Sequence, residues 1–162
     1  MLAPWLEREH PLTKAVIGAI PADKADYRPD HVARSAIDLA WHIVSAEIRF
    51  INGCAQGVFD YDATRPEAVR TPSEIIDWYA DRFVAGMNRV NEASGEQLLT
   101  PIDFRGIFTM PALVYLQTAA QHSIHHRGQL SMYLRPMGAK VPSIYGESFD
   151  ARQARETAIS SR

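Results

Sequence analysis

Three of the six histidines lie close together in the segment Gln121–Leu130. His122 and His126 are four residues apart, so in a helix they lie on one face, about 40° apart around the axis and about 6 Å along it. Two imidazoles in this arrangement can bind one divalent metal ion. A third ligand must come from elsewhere, and His42 is the best candidate because it lies within another helical pattern.

The spacing of the two histidines does not by itself establish a metal site. A buried histidine is more often a hydrogen-bonded core residue. Against that interpretation, His126 falls on an apolar seam, His122 lies beside it, and His42 lies on the inward side of a different helix. Burying three imidazoles together without a carboxylate leaves polar nitrogens unpaired, and a shared metal would satisfy them. Both interpretations remain open from the pattern alone.

The other three histidines are weaker candidates. His125 is a rival ligand within the cluster, but it is rotated by about 100° from His126, so the two cannot easily reach one centre. His10 and His31 have loop-like surroundings and are expected at the surface.

Several neighbours are candidates for supporting roles. Gln129 follows His126 by three residues and could contact a water or a substrate, or remain a surface amide. Tyr115 precedes His122 by seven residues, so it either lines the pocket above the metal or is a core aromatic. Arg127 either binds a carboxylate of a cofactor or, more in keeping with its position, forms a structural salt bridge. Gly128 is expected to permit close helix packing, and Glu47 to be a structural partner of Arg127 or Arg49.

The elements that must position these residues are predicted to be helices almost throughout. The first helix lies within Leu2–Ile20, where Pro11 either kinks it or begins a shorter helix. Ser35 is the expected N-cap of the second helix, which ends near Gly53 or Gly57.

The second half of the chain predicts two further long helices. Thr71 caps the third, which ends near Gly95. The following region is less regular, with a short turn or edge element near Ile102–Phe104. Thr109 is predicted to cap the fourth helix, with Pro111 in its first turn. No segment predicts a stable sheet, so the expected fold is all-α, a four-helix bundle.

Composition limits the possible classes of function. The 162 residues predict one domain, 1–162, with a polar C-terminal tail over 145–162. The net charge is -2 without a basic block, which gives no support for nucleic-acid binding. No secretory signal and no membrane-spanning run is apparent, and the single Cys54 fits a reducing cytoplasm.

Five stretches together resemble the DinB/YfiT-like family of metalloenzymes. They are Leu39–Glu47, which surrounds His42, and then His122, His126–Leu130, Leu134–Gly138 and Val141–Gly146. The order of elements agrees as well, so the resemblance covers most of the chain.

The resemblance implies a specific architecture and metal site. It implies a four-helix bundle of up-down-down-up order, in a homodimer. It also implies a divalent metal, nickel or zinc, held by His42, His122 and His126.

The activity implied by the resemblance is a thiol (S-)transferase. Some relatives join a low-molecular-weight thiol, such as bacillithiol or mycothiol, to an electrophile, and many are described as damage-inducible, which implies a stress response. We therefore expect a cytoplasmic enzyme acting on a small molecule, without nucleic-acid or membrane partners. The alternatives are a metal-dependent hydrolase using metal-bound hydroxide, and a non-catalytic bundle that binds a metal or small ligand. No catalytic residue is assigned beyond the ligands.

Overall fold

A computed structural model describes residues 2–161, so Met1 and Arg162 of the predicted domain lie outside the described residues. The elements follow one another as α1 (Leu2–Gly18), α2 (Ala36–Gln56), α3 (Pro72–Glu92), a short α4 (Gly95–Leu99), β1 (Pro101–Phe104), β2 (Phe108–Pro111), α5 (Val114–Leu134) and α6 (Phe149–Ser160). A single turn of 3₁₀ helix, Ala22–Lys24, lies in the loop after α1.

Helix α2 begins and ends where the sequence predicts. The hydroxyl of Ser35 accepts a hydrogen bond from the Asp38 backbone N–H, which satisfies one of the free donors of the first turn. At the other end, Gly57 adopts φ 73° and donates its N–H to the Gly53 carbonyl. A left-handed backbone conformation at this position favours glycine, because glycine has no Cβ that would clash.

Helix α3 also begins at its predicted cap. The Thr71 hydroxyl accepts from the Glu74 backbone N–H, and the Glu74 carboxylate accepts from the Thr71 N–H, so the capping box is complete. Pro72 occupies the first turn, where its missing N–H leaves no bond unmade.

Helix α1 passes through Pro11 without a break. Of the two alternatives that the sequence leaves open, the structure therefore has one long helix and not a shorter helix beginning at the proline. Pro11 is exposed, so its ring points away from the core.

The start of the fourth long helix was predicted wrongly. Thr109 and Pro111 belong to β2, and α5 begins only at Val114, with Leu113 at the cap position and no side-chain cap. A threonine two residues before a proline resembles a helix cap, but here the pairing of β2 with β1 determines the conformation. In this pairing Ile102 lies opposite Met110 and is buried. Consequently the expectation of no sheet is wrong for this hairpin.

The four long helices form the predicted four-helix bundle. Helix α2 packs against α3 and α5, and α1 packs against α5 and α3, around one apolar core. The long connection from α2 to α3 lets these neighbours run in the same direction, as up-down-down-up order requires. The predicted polar tail contains α6, which has no buried residue. Within residues 2–161, no helix is long and apolar enough to cross a membrane.

Candidate metal centre

Helices α2 and α5 bring His42, His122 and His126 together, as the sequence predicted. His42 Nε2 lies 3.1 Å from His122 Nε2 and 3.3 Å from His126 Nε2. The three side chains are half-buried, and the candidate ligand atoms all lie within 4.8 Å of one another. The group can therefore hold a metal ion through three nitrogens of the same kind.

The nitrogen spacing fits a transition-metal ion. Two nitrogens each about 2.05 Å from a tetrahedral ion are about 3.3 Å apart, and at an octahedral right angle they are about 2.9 Å apart. Both distances measured from His42 lie within this range. Three neutral imidazoles suit zinc and nickel, and they leave coordination positions free for a reactant.

The environment of the centre favours uncharged imidazoles, the form that binds metal. Burial lowers the pKa of His42 to about 4, with further lowering by Arg34, His126 and Arg49. Burial and the neighbouring imidazoles lower the pKa of His122 to about 3. At neutral pH both rings therefore carry a free lone pair.

A hydrogen bond indicates which nitrogen of His126 faces the centre. Gln129 Oε1 lies 2.9 Å from His126 Nδ1 and accepts a hydrogen bond from its N–H, which leaves the lone pair on Nε2. Gln129 thus lies beside a candidate ligand, where the sequence placed it. The Nδ1 atom of His122 is buried without a partner among the described residues, so Nε2 makes the polar contact of that ring.

The remaining histidines lie outside the group. His125 is exposed on α5, next to His126 but turned from the centre, and His31 is exposed as predicted. His10 was predicted to lie at the surface, and this prediction is wrong. It lies inside α1, and its ring stacks against Phe83 and lies 4.4 Å from the centroid of the Tyr79 ring, because α1 continues through Pro11.

Arg127 belongs to a polar network that joins α5 to α1. The guanidinium is 1% exposed and forms an ion pair with Glu9, at 2.6 Å between Arg127 Nη2 and Glu9 Oε2. Arg127 also donates to the Thr13 hydroxyl and to the Tyr145 hydroxyl. The residue is therefore the structural salt bridge that the sequence favoured, and not a group that lines a pocket.

Glu47 belongs to a second buried network and pairs with neither arginine that the sequence suggested. Its carboxyl accepts from Tyr79 Oη at 2.6 Å and from Ser123 Oγ. Burial raises its pKa to about 7, although both hydrogen bonds act in the opposite direction. Sequence reasoning missed Tyr79 and Ser123, because only their positions on the apolar faces of α3 and α5 indicated that they were buried.

An aromatic cluster closes one end of the centre. Phe50 lies 6.2 Å, ring centroid to centroid, from both His122 and Tyr115. Tyr115 is buried, and its hydroxyl donates to the Ile102 carbonyl at 2.7 Å, which fixes the hairpin to α5. Tyr115 is thus the core aromatic of the two predicted alternatives, one ring removed from the histidines.

Two small residues also differ from what helix packing suggests. Gly128 was predicted to permit close packing, but it is exposed, and a Cβ added there would meet nothing within 4 Å. Gly53, predicted only as a helix end, packs directly under Phe59, where a Cβ would overlap the ring.

Cys54 is buried, and burial raises its pKa to about 11, so its thiol is not a nucleophile at neutral pH.

Sequence comparisons identify relatives of this chain. A model of the DinB family matches residues 1–157. The chain is 29% identical over 130 residues to the uncharacterized protein YjoA of Bacillus subtilis, which covers 78% of this chain and 82% of YjoA. It is 32% identical over 111 residues to the uncharacterized protein YrdA of the same organism, covering 67% of this chain and 64% of YrdA.

Two crystal structures resemble the fold. The DinB-like protein YjoA of Bacillus subtilis aligns with a TM-score of 0.75 at 24% identity, over 90% of this chain and 98% of YjoA. A DinB-like protein of Bacillus cereus also aligns with a TM-score of 0.75 at 24% identity, over 89% and 95% of the two chains. These likenesses show the bundle fold.

Proposed function

Because the chain belongs to the DinB family, we propose that it is a metal-dependent transferase that joins a low-molecular-weight thiol to an electrophilic small molecule. In this proposal His42, His122 and His126 hold a divalent ion, nickel or zinc. The observation that carries it is that the Nε2 atoms of His122 and His126 lie 3.1 and 3.3 Å from His42 Nε2, in a half-buried group.

The donor set determines what the ion would supply. Three neutral imidazoles leave its full positive charge uncompensated, which lowers the pKa of a thiol bound there and makes it a nucleophile at neutral pH. With an epoxide, the thiol sulfur forms a bond to a ring carbon, the ring C–O bond breaks, and the thiol proton ends on the new hydroxyl.

The surrounding residues orient the ligands and limit access of water. Gln129 holds His126 with its Nε2 lone pair directed to the centre. Phe50 and the aromatic cluster behind it cover the side next to His122. Arg34 and Arg49 add positive charge near His42, which favours an anionic reactant.

The proposal includes a homodimer that acts in the cytoplasm on a small molecule during a stress response. These parts rest on the family resemblance. Sedimentation of the untagged protein tests the dimer independently of any activity.

The experiment that tests the activity uses untagged, metal-loaded protein. A panel of cellular thiols is incubated with epoxides and with chloro-aromatic compounds, and the thioether products are measured. We expect thiol-dependent product formation, reduced at least about 100-fold in His42→Ala and retained in His125→Ala.

Three results would favour another function over the transferase. Absence of thiol-dependent consumption of every electrophile would refute it. Cleavage of simple esters without thiol would support the hydrolase instead. If chelation lowers the melting temperature strongly but no activity exists to be lost, the metal is structural.

A further inference from the structure

A separate cavity of about 480 Å³ lies on the outer side of α2, between α2, α3 and the connection from α2 to α3. Arg49 marks its border with the metal centre, because it follows His42 by two helical turns on nearly the same face. The volume is that of a pocket for a small organic molecule.

Three arginines line this cavity without a carboxylate partner among the described residues. Arg49 donates only to the backbone carbonyls of Asp60 and Asp62. Arg89 donates to the Asn52 side-chain oxygen at 2.7 Å, and Arg82 lies 4.5 Å above the Trp78 ring. No ion pair within residues 2–161 includes any of these three guanidinium groups.

The two carboxylates that line the cavity are already engaged in their own loop. Asp60 Oδ1 accepts from the Asp62 N–H at 2.9 Å, and Asp62 Oδ1 accepts from the Thr64 N–H at 2.8 Å. Three cations against two acids leave a formal charge of +1. Within residues 2–161, Arg89 donates one side-chain hydrogen bond and Arg49 two, so these cations that line the cavity retain free N–H donors.

Two tryptophans form an aromatic wall of the same cavity. The Trp41 and Trp78 rings meet edge to face, 4.6 Å between centroids, and Trp41 Nε1 donates to the Ala63 carbonyl. Arg82 lies over the Trp78 ring and donates no hydrogen bond to another residue within 2–161, so its N–H groups are available. Such N–H pairs bind carboxylate or phosphate oxygens in a bidentate manner.

From this combination we infer that the cavity binds a small organic dianion with a flat or apolar frame. Its acidic groups bind Arg82 and Arg89, and its frame lies against Trp41 and Trp78. This site is distinct from the metal centre, and it does not depend on the proposed transferase.

Calorimetric titration of metal-free, untagged protein with naphthalene-2,6-dicarboxylate tests the inference, since without metal the carboxylates have no ion to coordinate. We expect one molecule bound per chain, weakened by added salt. The neutral analogue naphthalene-2,6-dimethanol should bind at least about tenfold more weakly.

Substitution of the arginines that line the cavity tests whether the dicarboxylate binds there. Arg82→Gln and Arg89→Gln should each weaken the dicarboxylate at least about fivefold. Arg152→Gln is the matched control, because Arg152 is also exposed and lies over an aromatic ring, Phe149, but on α6. It should change affinity less than about twofold.

A measurement on the unaltered protein keeps the test independent of variant folding. Of the three tryptophans, the indole N–H resonances of Trp41 and Trp78 should shift on titration, and that of Trp5, on α1, should not. Equal affinity for the two naphthalene compounds, or unchanged affinity in both arginine variants, overturns the inference. It is also overturned if no probe binds and the double variant Arg82→Gln, Arg89→Gln changes the sedimentation coefficient, because the surface is then an interface between copies.

Discussion

His42 is the residue on which the metal centre depends most, because it alone brings a ligand from α2, whereas His122 and His126 share α5. Removing it leaves two imidazoles four residues apart, which bind a divalent ion much more weakly. We expect His42→Ala to lower the metal content of purified, untagged protein from about one ion per chain to near zero, measured by elemental analysis.

The matched control for this prediction is His125→Ala. His125 lies next to His126 but is exposed and outside the group of three. It should retain the metal. Full metal content in His42→Ala, or loss of metal in His125→Ala, would show that the ligands are not these three residues.

Glu47 makes the stability of the protein depend on pH. Burial raises the pKa of its carboxyl from an ordinary value of 4.5 to about 7 in the folded chain. Between these values the unfolded carboxyl is ionised and the folded one is protonated, so unfolding releases a proton. The contribution of Glu47 to the free energy of unfolding is therefore fully present below about pH 4.5 and is lost as the pH rises through about 7.

Glu47→Gln tests this dependence because the amide cannot ionise. We expect the variant to gain up to about 2–3 kcal/mol relative to the wild type between pH 5 and pH 8.5, measured by urea unfolding at each pH. A constant difference across this range would mean that Glu47 does not titrate there.

At the scale of the elements, local signals were sufficient where a cap and its helix lie next to each other in the chain. Ser35 and Thr71 cap α2 and α3 as predicted, because the bonds involved span only three residues. Thr109 shows the limit of such signals. Its conformation depends on pairing with β1 and on the Tyr115 hydroxyl bond to Ile102, which no local pattern reveals.

The candidate site follows the same rule. The spacing of His122 and His126 was informative because one helix carries both. His42 was the best third candidate because it lies within another helical pattern, and the family resemblance implies the same residue. The partners of Arg127 could not be predicted, because Glu9 and Tyr145 come from distant parts of the chain. No helical periodicity in the sequence relates Arg127 to either partner.

The contact between Gly53 of α2 and the Phe59 ring should control how the α2–α3 connection packs. A Cβ at residue 53 would overlap that ring, which belongs to the aromatic cluster with Tyr115. We expect Gly53→Ala to lower the free energy of unfolding by about 1–3 kcal/mol, measured by urea denaturation.

Gly128→Ala is the matched substitution on α5. An added Cβ there meets nothing within 4 Å. Alanine has the higher helix propensity, so this variant should be neutral or more stable by up to about 1 kcal/mol. If both variants behave alike, the Phe59 contact does not restrain α2.

At the scale of the whole molecule, the pair of Arg127 and Glu9 joins α5 to α1, and Tyr145 adds the segment that follows α5. Burial raises the pKa of Glu9, but hydrogen bonds from Tyr145 and Arg127 outweigh it and hold the pKa below its usual value. Arg127→Met should destabilise the chain by about 3–5 kcal/mol, because it leaves a buried carboxylate unpaired.

A double variant distinguishes the lost charge pair from lost packing. Adding Glu9→Gln to Arg127→Met removes the unpaired charge, so urea unfolding should show partial recovery of stability. If the stability losses of the two single variants simply add in the double variant, the two side chains act independently.

Tyr145 and Glu9 are 136 positions apart in the chain. During synthesis, the Glu9 carboxylate is made long before Arg127, which neutralises it, and before Tyr145, which donates a hydrogen bond to it. We therefore expect α1 to dock onto the nascent bundle only after the later part of the chain has been made. During that interval the apolar face of α1 would be available to chaperones.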